Sequence, residues 1–381
     1  MNEYSFLGSG SFGCVIKPGY VCHNYQQEKF KNLKTISKLF VSKEEWEKEN
    51  RIQKMIEAEI DKTSKFTVKM LDSCPKPGSI AKEIKDIYKC KQVINEDNRI
   101  YQIIYEYGGV DLHRILSNVS QTATSRKINV LKIFVSLFDV LQGIEKMVLV
   151  DYIHHDIKID NILYNEDTNK AKLIDFGFCV RRKDCYDNLS FFFEDESNLQ
   201  HQFFPVEFNL IFHAYLNKNG LTKDEAKNLN FYKACLDLVP FISRINANPM
   251  IPKAVKAKVD EVKKKLAEYL ENCSKILLLF KDANKDLLKP TKNDIDIYIS
   301  AISLAHSRNK VDIRYKIDVY MFGLSLLYFL LMGMIYLKEE TGIYKVPLEL
   351  FDLILKMIDS NPFTRYSIQE AVADYKKIFS L

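Results

Sequence analysis

Glycine and proline, the two residues that interrupt regular secondary structure, are scarce in this sequence. There are 13 Gly and 10 Pro among 381 residues, which is about half their usual share. This scarcity excludes collagen-like repeats and long flexible linkers. Hydrophobic residues make up 47% and charged residues 28% of the chain, and these proportions are typical of globular proteins rather than of disordered ones.

An excess of one charge and the usual cysteine patterns are lacking as well. The net charge of +5 is too small to indicate a nucleic-acid partner. The eight cysteines include no Cys-x-x-Cys pair and no metal-ligand spacing. The first residues form no apolar signal core, and neither end carries a lipidation motif. We therefore expect an intracellular, cytoplasmic protein with reduced cysteines that binds neither nucleic acid nor membranes.

One long hydrophobic run is present. Residues 319–337 contain no charged side chain, and the run is long enough to span a membrane. The alternative is a helix that is buried on all sides inside a large domain. Composition alone does not distinguish the two interpretations.

The pattern of hydrophobic residues changes along the chain. The first quarter favours short strands, and helical periodicity dominates the remainder, which predicts an α+β fold with two unlike parts. Ser42 is a suitable N-cap for the first amphipathic helix. The predicted strands are 4–7, 14–16, 35–40 and 100–107, and the predicted helices are 43–60, 126–150, 253–280, 318–337 and 347–359.

Three glycines near the start of the chain form the pattern Gly8-x-Gly10-x-x-Gly13. Glycine lets backbone N–H groups approach phosphate oxygens where a Cβ would clash. In a dinucleotide-binding fold the third glycine opens a helix, but here Cys14-Val15-Ile16 continues as a strand. The pattern therefore favours a hairpin that lies over phosphates, and an ordinary hairpin turn is the alternative.

A second group of polar residues combines an acid, a base and an amide on one loop. Asp156, Lys158 and Asn161 lie between apolar segments, and Asp175 follows an apolar strand. The oxygens of Asn161 and Asp175 are ligands that suit Mg²⁺. Each residue alone fits an Asx turn or an exposed carboxylate. Together, and after a glycine-rich hairpin, they indicate a functional site.

In this order the motifs resemble those of eukaryotic-type protein kinases. The main matches are the glycine-rich loop, a strand lysine at Lys38, a catalytic loop from His154 to Asn161, and an Asp-Phe-Gly segment from Asp175 to Gly177. Further similarity lies at Pro205-Val206-Glu207, at Asp318 to Gly323 and at Asn361 to Arg365. The resemblance extends from residue 4 to about residue 375.

The resemblance implies a bilobal protein-kinase-like fold with a small strand-rich N-lobe and a large helical C-lobe. The N-lobe would comprise residues 1–107 with an insertion near 18–33, and the C-lobe residues 108–381 with a helical insertion at about 210–312. In such kinases the apolar run is a buried helix, so the membrane interpretation is set aside. Asp318 would tie the catalytic loop to the start of that helix.

The resemblance also implies catalytic roles. Asp156 would accept the proton of the substrate hydroxyl, and Lys158 would neutralise the transferring phosphoryl group. Asn161 and Asp175 would hold Mg²⁺. Below the substrate-binding surface, Glu207 would pair with Arg365.

Nucleotide binding is implied for a second set of residues. Lys38 would contact the α- and β-phosphates of ATP and pair with Glu49, for which Glu45 and Glu47 are competitors. Tyr105 would be the gatekeeper before the hinge that binds adenine. The full set is Leu7, Gly8, Ser9, Gly10, Ser11, Phe12, Gly13, Cys14, Val15, Lys38, Glu49, Glu106 and Tyr107.

The sequence departs from the family pattern in three places. His155 replaces the arginine that normally grips a phosphorylated activation loop, so that switch does not carry over. Gln53 is polar where the family packs an apolar residue. The helical insertion contains a lysine-rich segment, 253–265, which is either a solvated helix face or a docking surface for a partner or an acidic ligand.

The motifs also bear on specificity and origin. The Asp-x-Lys-x-x-Asn form of the catalytic loop is similar to that of serine/threonine kinases, which implies protein substrates with Ser or Thr acceptors. The segment Glu106 to Leu112 resembles haspin-like kinases and kinases of large nucleocytoplasmic DNA viruses. A composition rich in Lys, Asn, Ile and Phe fits an AT-rich viral genome, and a viral protein would reside in the host cytoplasm or the virion.

Two alternatives stay open at this point. A small-molecule phosphotransferase shares the His-x-Asp…Asn loop but usually lacks the lysine two residues after the aspartate. A pseudokinase scaffold commonly loses one of the catalytic residues, whereas Lys38, Asp156, Asn161 and Asp175 are all present here.

Overall fold

The computed structural model describes residues 4–10, 13–22, 30, 32–90, 99–118, 128–181, 203–205, 230–283 and 313–381. The chain forms two compact units. Unit 1 comprises Met1–Val110 and Leu163–Cys179, and unit 2 comprises Asp111–Ile162 and Val180–Leu381. Strands predominate in the first unit and helices in the second, which is the α+β organisation that the sequence predicts.

The core of unit 1 is a six-stranded sheet. Its strand order is β4-β6-β3-β2-β1-β5, and all neighbours are antiparallel except β1 and β5. Strand β3 is buried along most of its length because it lies inside the sheet, with Lys38 among its buried residues. The strands are β1 (Tyr4–Ser9), β2 (Cys14–Lys17), β3 (Thr35–Phe40), β4 (Met70–Pro77), β5 (Ile84–Lys85) and β6 (Arg99–Glu106).

One long helix, α1 (Lys43–Met55), packs against this sheet. The hydroxyl of Ser42 accepts a hydrogen bond from the Glu45 N–H and caps the helix as predicted. The helix continues as a π-helical turn over Ile56–Ile60. Its buried face includes Glu49 and Gln53, so two polar side chains point into the core and require partners there.

Unit 1 also contains a segment from later in the chain. Strands β7 (Val110–Asp111), β9 (Ile162–Asn165) and β10 (Lys170–Leu173) form a small sheet in the order β10-β9-β7. The N–H of Leu173 donates to the carbonyl of Phe66 over 2.7 Å, next to the bridge between Thr67 and Leu173. This pairing joins the segment that carries Asp175 to the residues that precede β4.

Unit 2 is built around one helix that is buried along nearly all of its length, α6 (Ile317–Tyr336). The helix is long and apolar enough to cross a membrane, but 83% of its apolar window is buried inside the protein. The remaining elements are α2 (Leu112–Asn118), α3 (Val130–Leu149), α4 (Asn230–Ala247), α5 (Lys253–Ala283), α7 (Glu349–Met357), α8 (Ile368–Phe379) and the paired strands β8 (Tyr152–Ile153) and β11 (Val180–Arg181).

Helices α4 and α5, which fall within the segment predicted to be an insertion, pack against this core. Helix α4 contacts α6, and the Tyr328 hydroxyl of α6 donates to the carbonyl of Ala234 over 3.2 Å. Helix α5 contacts α7, and the Tyr269 hydroxyl donates to the carbonyl of Leu355 over 2.8 Å. Helices α4 and α5 are therefore part of the core of unit 2.

Most of the predicted elements are confirmed in type. Strand β3 has the predicted limits, and the predicted helices correspond to α1, α3, α5, α6 and α7 with ends that shift by a few residues. Helix α4 falls inside the segment 210–312 that was expected to be mostly helical, whereas β4 and α8 were not predicted. The apolar residues of β4 are interrupted by Asp, Pro and Lys. Helix α8 has apolar residues at helical spacing behind the Ser367 cap, a signal from which it could have been predicted.

Four cysteines form disulfide bonds, whereas the sequence predicts reduced cysteines. Disulfide bonds join Cys14 to Cys90 and Cys22 to Cys74, and among the cysteines whose side chains the structure describes the buried Cys179 lies outside these two bonds. The prediction is wrong for four residues because spacing along the chain does not report which strands the sheet brings together.

Candidate active site

The glycine-rich segment forms the end of the β1–β2 hairpin. Gly8 is paired with Val15 and Ser9 with Cys14, and the Gly10 N–H donates to the Gly13 carbonyl over 2.9 Å. A Cβ at Gly13 would overlap the backbone oxygen of Leu39, so this position requires glycine. The neighbouring predicted residues Leu7, Ser9, Cys14 and Val15 lie on the two strands, and Ser11 and Phe12 lie outside the described residues.

Lys38 lies between two carboxylates in unit 1. Its Nζ is 2.6 Å from Glu49 Oε2 and 2.9 Å from Asp175 Oδ1. The structure therefore selects Glu49 as the partner on α1. Of its competitors, Glu47 pairs with Lys43, and Glu45 lies near the cluster in the first turn of α1 but makes no direct ion pair with Lys38.

Burial and neighbouring charges shift the pKa values of Lys38 and Glu49 in opposite directions. Burial lowers the pKa of Lys38, but the carboxylates of Asp175 and Glu49 outweigh this effect and raise the pKa above its ordinary value. The Lys38 ammonium is therefore charged at neutral pH. Burial raises the pKa of Glu49, and Lys38 opposes that shift. The two carboxylates fix the position of the Lys38 ammonium, which can then donate a charge-assisted hydrogen bond to a phosphate oxygen.

Hydrogen bonds of Tyr105 on the sheet and of Gln53 on α1 hold Glu49 and the helix in place. The buried Tyr105 hydroxyl donates to Glu49 Oε1 over 3.2 Å. Gln53, buried at the position where the sequence suggested an apolar residue, donates to the Val68 carbonyl over 3.0 Å and to Glu57 Oε1 over 2.9 Å. Both side chains are satisfied by hydrogen bonds, which explains why they are tolerated in the core.

The predicted hinge follows β6. The Glu106 N–H donates to the Lys69 carbonyl over 3.0 Å, and the Tyr107 N–H donates to the Lys34 carbonyl over 2.7 Å. Lys17 Nζ lies 4.1 Å from the centre of the Tyr107 ring. The N–H groups of the two residues are thus engaged within unit 1 by the carbonyls that directly precede β4 and β3.

The catalytic-loop residues form a second cluster, which lies in unit 2. Lys158 Nζ is 2.9 Å from Asp156 Oδ1, and Asn161 Nδ2 donates to Asp156 Oδ2 over 2.7 Å. Asn161 also donates to the Asp156 backbone carbonyl over 2.8 Å. Asp156 is buried, and its carboxylate is oriented by a lysine and an amide, which prepares it to accept a proton from a hydroxyl group.

Asp318 fixes the backbone of this loop as predicted. Its carboxylate accepts hydrogen bonds from the N–H groups of His154 over 2.7 Å and His155 over 3.0 Å. His155 adopts a left-handed backbone conformation with φ of 65°, which is strained for a residue other than glycine. Burial raises the pKa of Asp318 to about 6, and the two N–H groups oppose the shift.

Each of the two predicted magnesium ligands, considered within its own unit, has an oxygen atom that suits Mg²⁺. Asp175 Oδ1 is engaged by Lys38, and Asp175 Oδ2 lies 3.9 Å from the place where a Cβ at Gly10 would be. Asn161 uses its Nδ2 for Asp156, which directs its amide oxygen elsewhere. A carboxylate oxygen and an amide oxygen are the hard ligands that Mg²⁺ prefers.

Comparison with known proteins decides the family. The model of the protein kinase domain matches residues 1–194, which is half of the 381-residue chain. The chain belongs to the protein kinase family. The predicted bilobal α+β fold class is confirmed.

The chain is also similar to individual proteins. It is 31% identical over 136 residues to the serine/threonine-protein kinase CLA4 of Candida albicans, and the same-named protein of Candida albicans strain SC5314 matches equally. The match covers 32% of this chain and 13% of the relatives. The kinase thus spans only a small part of the length of these relatives.

Other predicted residues lie outside the family match. Val206 and Glu207 are not among the described residues, so the pair of Glu207 with Arg365 stays a prediction. Arg365 itself is buried; its Nε donates to the Asp359 carbonyl over 2.9 Å, and its guanidinium lies 4.8 Å from the centre of the Tyr320 ring.

Sequence reasoning missed a surface of the kinase beside the catalytic loop. A cavity of about 450 Å³ in unit 2 is lined partly by Ile159 and Asp160 of this loop and partly by Asp237, Pro240 and Phe241 of α4. Asp160 Oδ1 is 3.2 Å from His113 Nδ1 on α2. No sequence motif indicates that α4 lines this cavity, because its position depends on how the helix packs within unit 2.

The lysine-rich helix α5 is partly committed to contacts within unit 2. Lys258 Nζ is 2.5 Å from Asp352 Oδ1 on α7, and Lys256 donates to the carbonyl of Asn246 over 3.0 Å. Lys265 pairs with Glu268 on the same helix. These contacts fix α5 to its neighbours and leave Lys253, Lys263 and Lys264 exposed.

Proposed function

We propose that the chain is an ATP-dependent serine/threonine protein kinase that transfers the γ-phosphoryl group of Mg·ATP to protein hydroxyls. The single observation that carries the proposal is the ion-paired Lys38, held between Glu49 and Asp175 in the same unit as the glycine-rich hairpin. Scaffolds that have lost activity commonly lose such a residue. The serine/threonine preference is supported by Lys158 and by the CLA4 similarity.

In this proposal each cluster does one part of the reaction. The Lys38 ammonium and the N–H groups of the hairpin bind the phosphates, and Asn161 and Asp175 hold Mg²⁺. When bound, Mg²⁺ supplies a Lewis acid that neutralises charge on the phosphates. Asp156 accepts the proton of the Ser or Thr hydroxyl, and Lys158 stabilises the negative charge on the phosphoryl group in transfer.

The remaining proposals concern partners and place. We propose that the insertion, residues 210–312, contributes to substrate or partner docking, because α4 lines the cavity beside the catalytic loop. We also propose an intracellular, cytoplasmic protein without nucleic-acid or membrane partners. An origin in a large DNA virus rests on the hinge resemblance, and viral genes next to the coding sequence would support it.

Two other functions make different predictions. A pseudokinase would show no melting-temperature increase with Mg·ATP, and a small-molecule phosphotransferase would label a free aminoalcohol or sugar. The intact ion pair at Lys38 disfavours the first, and the close contact between Lys158 and Asp156 disfavours the second.

The test compares the wild-type chain with Asp156→Asn in a radiolabelled ATP transfer assay on a protein mixture, followed by phosphoamino-acid analysis. We expect label on Ser and Thr, and a fall in turnover of about two to four powers of ten in the variant. Mg·ATP should raise the melting temperature of both proteins, because the variant loses the base but not the phosphate-binding residues. Full activity in Asp156→Asn would contradict the assignment of the base.

A further inference from the structure

Two disulfide bonds lie within unit 1, and neither is used by the proposed reaction. The Cα atoms of Cys14 and Cys90 are 5.8 Å apart, and those of Cys22 and Cys74 are 5.9 Å apart. Both distances fall in the range of protein disulfides. The two bonds differ in what they connect, and this difference suggests a function for one of them.

The first bond is attached to the glycine-rich hairpin. Cys14 is the first residue of β2, directly follows Gly13 and is fully buried. Cys90 ends the 3₁₀ turn Ile87–Lys89 that follows β5. In the sheet, β1 lies between β2 and β5. The bond therefore joins the inner strand of the hairpin to the chain beyond its outer strand, at the end where the glycines lie.

The second bond is placed on the other side of the sheet. Cys22 lies beyond the end of β2, and Cys74 lies in β4, the opposite edge strand. Gln102 Nε2 donates to Cys74 Sγ over 3.3 Å and to the Tyr20 carbonyl over 2.7 Å. This bond holds the segment after β2 against the sheet and has no contact with the glycine-rich turn among the described residues.

We propose that the Cys14–Cys90 disulfide is a redox-modifiable latch that sets the nucleotide affinity of the kinase. The proposal rests on the proposed function, since it concerns regulation of the same site. With the bond closed, the hairpin has fewer conformations to lose when its N–H groups order around phosphates. The oxidised form therefore binds nucleotide more tightly than the reduced form.

The chemistry of the latch is thiol–disulfide exchange. To close it, the thiols of Cys14 and Cys90 give up two protons and two electrons to an external disulfide such as glutathione disulfide, which becomes two thiols. To open it, a dithiol attacks one sulfur, passes through a mixed disulfide, and leaves as a cyclic or protein disulfide. Cys90 is the more accessible of the two residues, because it is half-buried whereas Cys14 is fully buried.

The test measures the affinity of the full chain for a fluorescent ATP analogue with Mg²⁺, after treatment with glutathione disulfide or with dithiothreitol. Alkylation and peptide mapping establish which bonds are closed in each sample. Cys90→Ser removes the latch, and Cys74→Ser is the matched control. The two bonds span 76 and 52 residues, so their loss should destabilise the fold to a similar extent.

We expect the oxidised wild type to bind the nucleotide about 3- to 10-fold more tightly than the reduced form. The reason is that the closed bond lowers the conformational entropy that the hairpin loses on binding. Cys90→Ser should bind as weakly as the reduced wild type in both treatments, and Cys74→Ser should keep the redox dependence. Equal affinities of the two wild-type forms, with the bond shown to open and close, would overturn the latch while leaving nucleotide binding intact.

Hydrogen exchange of residues 4–17 supplies a readout that is independent of nucleotide. Reduction should accelerate exchange in this hairpin in the wild type but not in Cys90→Ser. If neither redox form bound nucleotide, the proposed function would fail, and the exchange rates would still decide whether the latch exists. Unchanged exchange in the reduced wild type would refute it.

Discussion

Lys38 shows how a single charged residue is kept in a buried position. Two carboxylates lie within 3 Å of its ammonium group, and one of them, Glu49, also accepts a hydrogen bond from the Tyr105 hydroxyl. Removal of one partner from such a cluster leaves an unpaired buried charge, which costs about 3–5 kcal/mol. Lys38, Glu49 and Asp175 therefore stabilise the fold only when all three are present.

Tyr105→Phe tests the supporting bond. The variant keeps the ring in the core but removes the donor to Glu49 Oε1, so the free energy of unfolding should fall by about 0.5–1.5 kcal/mol. Urea denaturation measures the change. Tyr101→Phe is the control: Tyr101 also belongs to β6, and its ring stacks on Trp46. An effect of Tyr105→Phe no larger than that of the control would mean that the bond does not stabilise Glu49.

At the scale of elements, helix α6 connects the core of unit 2 to the catalytic loop. Asp318 in its first turn binds the loop backbone, and Gly323 one turn later faces helix α7. Further along, the Ser325 hydroxyl donates to the carbonyls of Met321 and Ile157. The position of the loop is therefore set by the packing of this helix.

Asp318→Asn should alter the pH dependence of stability. Burial raises the Asp318 pKa from 3.8 to about 6, so the native state holds this proton more tightly than the unfolded chain does. The associated stability is present below pH 3.8 and is lost as the pH rises through about 6. The loss amounts to about 3 kcal/mol.

Because asparagine does not titrate, the stability deficit of Asp318→Asn relative to wild type should shrink by that amount between acid and neutral pH. Denaturation at a series of pH values gives both curves. Parallel curves would show that the Asp318 pKa is not raised in the folded protein.

Gly323→Ala tests the close packing of α6 on α7. The new Cβ would lie 2.7 Å from Met357 Cβ, an atom next to the backbone that has little freedom to move. We expect a loss of about 1–3 kcal/mol from overpacking, which exceeds the gain of up to about 1 kcal/mol in helix propensity.

Gly333→Ala in the same helix is the matched comparison. Its Cβ would lie 3.0 Å from Ile343 Cδ1, the movable end of a side chain, so the effect should be close to neutral. Denaturant midpoints distinguish the two variants, and equal shifts would contradict the packing argument.

At the scale of the whole molecule, the most hydrophobic segment forms the interior of unit 2. The side chains of α6 are buried by helices on several sides, including α4 of the insertion, α2 and α7. A helix of this composition is suited both to a lipid bilayer and to the core of a protein. The tertiary contacts favour the core.

The prediction at this scale is that the expressed chain partitions into the aqueous fraction. Because 83% of the apolar window of α6 is already buried inside the protein, insertion into a membrane would bury little additional apolar surface. Carbonate extraction of a membrane fraction, followed by immunoblotting, measures the partition. Retention in the pellet until detergent is added would mean that α6 leaves the core and inserts.

The sequence was informative where function constrains short, local patterns. The glycine spacing, the catalytic loop and the Asp-Phe-Gly segment each lie within about a dozen neighbouring residues, so chain geometry alone keeps their members together. Ser42 as an N-cap and the limits of β3 were predictable for the same reason, because they depend on local hydrogen bonding and alternation.

Tertiary structure decided the contacts between residues that are distant in the chain. Glu45, Glu47 and Glu49 were all candidates for Lys38, and only the rotation of α1 on the sheet selects Glu49. Gln53 is accepted in the core because a carbonyl from a separate segment meets it. The pairing of Cys14 with Cys90 and the cavity wall formed by α4 likewise depend on strand order and helix packing. Such contacts are set by the burial of the whole chain and leave no local pattern to read.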